Sequence, residues 1–184
     1  MSMILNRLDA FRAKIQDPDF LGNKGLSNEV GLYIFAYTPD EEMAVRHFLD
    51  EMMSKQQHPR IIKYDLYEIL LEICRERRIL ERIPAMEAQR GASFVMGQIQ
   101  RVATPEAYIE KMRYLPHQPG DVVIITGIGR VYPYMRSHNI LNNLQHVFDD
   151  IPVVLFYPGE YTGQSLTLFN EFADDNYYRA FNLL

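Results

Sequence analysis

The stretch DVVIITGIGRVYPYMRSHNILNNLQHVFDDIPVVLFYPG, residues 121–159, decides the fold. Its two ends, DVVIITG (121–127) and IPVVLFYPG (151–159), are nearly unbroken runs of branched and aromatic residues. Such runs mark central strands covered on both faces, since a strand with one wet face alternates apolar and polar. Between them Ile140, Leu141, Leu144, Val147 and Phe148 recur at helical spacing, predicting a helix over about 134–149 with His138, Asn142, Gln145 and His146 on its other side. Strand, helix, strand at this length is a βαβ unit.

The same alternation extends towards the N-terminus. GLYIFAY (31–37) predicts a strand, and TPDEE after it a helix start, with Thr38 as cap, Pro39 in the first turn and acids at the positive end of the helix dipole. That helix carries Val45, Phe48, Leu49, Met52 and Met53 on one face. RIIKYDLY (60–67) predicts a second strand that merges into a helix through Leu66, Ile69, Leu70, Ile73 and Cys74. Ile4, Leu8, Phe11 and Ile15 predict an amphipathic first helix, and DPDFLGNKGLSNE after it a long loop. Residues 85–113 predict one or two helices broken near Ala103-Thr104-Pro105. GQSLTLF and NYYRAFNLL predict two further strands, or a strand and a tail, joined by the acidic turn NEFADDN. The architecture expected is α/β: a three-layer, Rossmann-like sandwich over 1–184 as one domain, with a mostly parallel central sheet and an antiparallel edge at the C-terminus.

Composition narrows the function. Of 184 residues 47% are hydrophobic and 23% charged, enough for one core, and no apolar run is long enough to span a bilayer. The net charge of −5 argues against coating nucleic acid unless the basic residues cluster locally. Cys74 is the one cysteine and falls on an apolar helix face, as a core residue of a cytoplasmic protein does.

Ligands of open α/β sheets collect beyond the carboxyl ends of the strands, which here means TGIGR, YPGEY and the loop after Tyr37. Gly127 and Gly129 allow either of two readings: a tight turn needing positive φ, or a backbone approach to an anion helped by Arg130 and Arg136. Neither TGIGRVYP nor GNKGLS has the spacing of a Walker A loop, and the dinucleotide fingerprint lacks its third glycine. His47, His58, His117, His138 and His146 show no zinc-site spacing, and no serine sits in a nucleophile elbow. Asp149-Asp150 and Asp174-Asp175 read as solvated turns. No cofactor, metal or catalytic set is therefore expected. The C-terminal third is aromatic, and together with its arginines has the character of a protein interface; stacking of single-stranded nucleic acid is the competing use. The residues expected to meet a partner are Arg130, Tyr132, Arg136, His138, Glu160, Tyr161, Tyr177 and Arg179.

The run VVIITGIGRVYPYMRSHNILNNLQHVFDDIPVVLFYPGEYTGQSLTLF, the ending DDNYYRAFNLL and the N-terminal QDPDFLGNKGLSNEVGLYIFAY resemble the BrxB family of BREX (bacteriophage exclusion) systems. About 80–118 adds little to the likeness. The resemblance implies membership of a phage-restriction system that methylates host DNA, alongside a methyltransferase, a large ATPase and a PglZ-like protein. It implies association with the PglZ-like component and transfers no catalytic residue. The reading favoured is a non-enzymatic adaptor; the alternatives are a degenerate nucleotide or phosphate sensor and a nucleic-acid-binding module.

Overall fold

In the computed structural model, residues 3–23, 31–55, 59–144, 146–174 and 180–184 are described. Helix α1 (Met3–Lys14) buries Ile4, Leu8 and Phe11 as its spacing predicts. The loop expected after it contains a helical turn, α2 (Pro18–Leu21). Asp17 caps that turn, its carboxylate accepting from the Asp19 amide at 3.0 Å, and Phe20 is buried. Strand β1 (Leu32–Tyr37) leads through a 3-10 turn at Pro39–Glu41 into α3 (Glu42–Ser54). The Thr38 amide donates to the Glu41 carboxylate at 3.0 Å, so the capping read from TPDEE is real.

Strand β2 (Arg60–Asp65) passes into α4 (Leu66–Glu76), whose first amides donate to the Asp65 side chain. The middle of the chain forms three helices instead of one or two: α5 (Ile83–Arg90), α6 (Ala92–Val102) and α7 (Pro105–Met112). The break at Thr104-Pro105 falls as expected. A second lies at Gly91, whose φ of +81° no helix accommodates.

Strand β3 (Asp121–Thr126) is followed at once by the single turn α8 (Ile128–Val131), then by α9 (Ser137–Leu144). The helix expected over 134–149 is thus shorter. Pro133 offers no amide to carry α8 onward, and Val147 and Phe148 lie beyond α9, with Phe148 still fully buried. His138 and His146 consequently do not share a helix face. Strand β4 (Val153–Tyr161) is followed by β5 (Leu166–Leu168), β6 (Phe172–Asp174) and β7 (Phe181–Asn182). The stretch read as an acidic turn, NEFADDN, holds β6.

The strand order is β2-β3-β4-β1-β7, all parallel, with β5 antiparallel on the far end of β4 and β6 on β5. The fold is the α/β class expected, a mostly parallel sheet with an antiparallel C-terminal edge. Side-chain alternation sorts the central strands between two cores. Val122, Ile124, Val154 and Phe156 face α1 and α3. Val123, Ile125, Val153 and Leu155 face α4 and the helices that follow it. Both faces being dry explains why β3 and β4 read as unbroken apolar runs. Cys74 is buried in the second core, as expected.

One buried charge fastens the amino ends of β2 and β3. Asp121, 1% exposed, accepts from Arg60 Nε and Nη2 at 2.6 and 2.5 Å, from the Tyr114 hydroxyl at 2.9 Å and from the Gln118 amide at 2.9 Å. The Arg60 bonds hold its carboxyl below the ordinary 3.8, against the opposing effect of burial. A group whose pKa is lowered on folding stabilises the protein above its unfolded value and loses that contribution as pH falls through the folded one. Urea midpoints measured from pH 6 to pH 3 should show the native protein more stable than Asp121→Asn near neutrality, with the gap closing below 3.8. A gap independent of pH would show that the ion pair contributes nothing.

Candidate functional site

The carboxyl end of the parallel sheet is where the two readings of TGIGR part. Gly127 has φ +82°, and a Cβ there would lie 2.4 Å from Asp65 Oδ1 and 3.1 Å from the amide nitrogens of Leu66 and Tyr67. The space in front of the turn is therefore filled by a carboxylate that already caps α4. Arg130 pairs with that same Asp65 through Nη2, lies 3.9 Å from Glu68 and sits over the Tyr67 ring at 5.1 Å. An anion approaching Gly127 would meet negative charge, with the arginine meant to balance it already engaged. Gly129 is small for another reason. Its Cβ would stand 2.7 Å from Phe169 Cε1 and 3.1 Å from Pro158 Cγ, so the missing side chain admits the Phe169 ring. At both glycines an added side chain would collide with atoms packed against the turn.

Beside this turn lies a groove of about 300 Å³ between the α8–α9 segment and the β5–β6 hairpin. Its floor is apolar: Ile128, Met135, Tyr157 and Leu168 are all buried. Its rim holds Tyr132, Arg136, Ser137, Glu171, Phe172 and Asp174. The Tyr132 and Phe172 rings pack at 5.1 Å, and Phe172 leaves 41% of its surface to solvent. His138 Nδ1 lies 3.1 Å from Asp174 Oδ2, tying α9 to β6. Burial pushes the Tyr157 phenol well up, a hydrogen bond with Ser137 opposes that shift, and the nearby Asp174 charge adds to it. Tyr157 thus remains a neutral hydroxyl on the groove floor.

Of the residues expected to meet a partner, the groove gathers Tyr132 and Arg136, and His138 reaches it through Asp174. Arg136 is exposed. Arg130 lies on the other side of the turn, bound to Asp65. Glu160 is exposed on β4 opposite Thr167, away from the groove lining. Tyr161 is only 8% exposed and its hydroxyl donates to the Ala180 carbonyl at 2.7 Å, so it supports the fold and offers little contact area. Tyr177 and Arg179 lie outside the described residues. The groove adds Leu168, Glu171 and Phe172, which belong to the aromatic C-terminal third but are not singled out by the sequence. The signal for them was Asn170, between two β-forming runs, which together with Phe169 takes the positive φ that turns the hairpin. Asp174, read as part of a solvated turn, has a side chain only 15% exposed and pairs with His138, whose side chain is 22% exposed. Among the described residues no group of three or more His, Cys, Asp or Glu is arranged to hold a metal, and no helix is long and apolar enough to cross a membrane.

Fold and site together define a three-layer α/β protein with an Asp65–Arg130 pair at the carboxyl end of its sheet and an aromatic-rimmed groove beside it. The chain belongs to the BrxB family of BREX proteins. The family model, described as BREX protein BrxB, matches residues 62–183. The chain is 42% identical over 190 residues to the BREX protein BrxB of Bacillus cereus (strain H3081.97), with 100% of this chain and 99% of that relative covered. It is 31% identical over 182 residues to the BREX protein BrxB of Escherichia coli O9:H4 (strain HS), with 97% and 90% covered. No solved structure matches it. The protein is thus a component of a BREX anti-phage defence system.

Proposed function

We propose that this BREX component is a cytoplasmic adaptor, acting as one domain, and that it seats a PglZ-like BREX protein against the groove between α8–α9 and the β5–β6 hairpin. The observation that carries this reading is the groove's build: a buried apolar floor with Tyr132, Phe172 and Arg136 on an accessible rim. Interface hot spots combine these features, because aromatic and guanidinium side chains bury much area with little rotamer loss.

Co-purification of the full chain with the PglZ-like protein tests it. Phe172→Ala and Arg136→Glu alter accessible side chains and should leave the melting temperature within a few degrees of the native one. Each should weaken association by about 2 kcal/mol, roughly thirty-fold. Association unchanged in both variants would rule the groove out as the docking surface.

A further inference from the structure

The chain's positive charge is unevenly placed. Between residues 75 and 101 stand six arginines and no lysine against three glutamates, an excess of three positive charges in a protein of net −5. Arg75, Arg77, Arg78, Arg82, Arg90 and Arg101 are all exposed. They occupy the carboxyl end of α4, the link to α5, and the ends of α5 and α6. Of the three glutamates, Glu76 is drawn elsewhere: it pairs with Lys111 Nζ, which also lies 2.7 Å from Glu72. Among the described residues none of the six arginines forms an ion pair, and Arg90 rests only on the Phe94 ring at 3.8 Å.

Local stability accounts for part of this pattern. A cation in the last turn of a helix is favoured by the dipole, which covers Arg75, Arg90 and Arg101. It does not cover Arg82, which stands at the N-cap of α5, the positive end of that dipole. Nor does it cover Arg78, which stands past α4 beside Arg77, the C-cap residue of that helix. An excess of exposed guanidinium groups on one segment attracts anions.

The composition of the face selects which anion. Protein interfaces need apolar anchors, and Met96 is the one large hydrophobic residue of this segment that stands exposed. None of the eight residues of α5 is buried, and the arginines at its two ends, Arg82 and Arg90, are exposed. Guanidinium forks fit phosphate oxygens. We propose that the arginine cluster at the end of α4 and along the α5–α6 hairpin binds the phosphate backbone of nucleic acid. Contacts of this kind carry no base information, so binding is independent of sequence. The cluster is separate from the groove and stands without the adaptor reading.

Fluorescence anisotropy of a labelled 20-base-pair DNA duplex, titrated with the full chain at 50 and 200 mM salt, tests the inference. With three phosphates contacted, affinity should fall roughly forty-fold between the two salts. Arg77→Glu/Arg78→Glu/Arg82→Glu should weaken binding at 50 mM by at least about tenfold and flatten the salt dependence. Should that variant fail to fold by circular dichroism, Arg77→Gln/Arg78→Gln gives the same test with a smaller loss. Phe172→Ala should bind the duplex as the native chain does, which separates this result from the groove. No binding at 50 mM salt, binding unchanged in the arginine variants, or tighter binding of a poly-glutamate peptide than of the duplex would each overturn the proposal, the last in favour of an acidic protein segment.

Discussion

Phe156→Ala is expected to lower the free energy of unfolding by about 4 kcal/mol, the range for emptying a ring-sized site in a packed core. Phe156 is 1% exposed, lies edge-on to Phe11 at 5.1 Å and stacks on Phe35 at 4.8 Å. It thereby joins α1, β1 and β4, three elements distant in sequence. Its loss leaves both neighbouring rings without a contact that no small rearrangement restores. Urea denaturation should show the midpoint falling with the slope unchanged, because the folded architecture persists. A loss under about 1 kcal/mol would mean that α1 collapses into the vacancy and that the face it covers is loosely packed.

Gly159→Ala should be nearly as damaging, by about 3 kcal/mol, and should also abolish docking. A Cβ at Gly159 would stand 2.0 Å from the Thr167 carbonyl oxygen and 3.0 Å from the Thr167 carbonyl carbon. These are backbone atoms of the paired strand, so no side chain can swing aside. The β5–β6 hairpin must move, and Leu168 and Phe172 of the groove move with it. Gly163→Ala is the matching control. Its φ is +88° but nothing lies within 4 Å of the added carbon, so it should cost about 1 kcal/mol and leave association with the partner intact. Denaturation and co-purification of the two variants side by side provide the check; equal effects would show that conformational preference, not the clash with Thr167, governs the hairpin.

The elements legible in the sequence are those whose burial is uniform. β3 and β4 are dry on both faces, α3 announces itself by the capping residue before it, and both α3 and α4 show a steady apolar face. Where burial and helical geometry part company, the pattern misleads. Val147 and Phe148 continue the spacing of Ile140 and Leu144, yet they lie past the end of α9, and Phe148 is covered by Tyr114 and His117 at ring distances of 6.1 and 5.5 Å. Gly91 interrupts a polar segment in which no apolar period existed to be broken. β6 has a single large apolar residue, Phe172, and that residue faces water, so no alternation marks it. In the site, Tyr132 and Arg136 were legible because they follow a strand end where ligands and partners gather. Tyr161 was chosen for its aromatic character, which does not distinguish an interface anchor from a ring buried with its hydroxyl on Ala180. Arg130 could be placed near the turn, but its pairing with Asp65 joins the ends of two strands whose adjacency only the sheet order reveals.

The position of β1 governs how the polypeptide can be made. β1 lies between β4 and β7, and its first register partner, Val153, comes late in the chain. During translation Leu32 and Ile34 leave the ribosome with no strand beside them and must wait for most of the remaining sequence. Nascent chains of this protein accordingly pass through a sticky stage that chaperones would guard. Any fragment cut to the 62–183 span would lack the ribbon on which both flanking strands close, and would be a poor unit for expression.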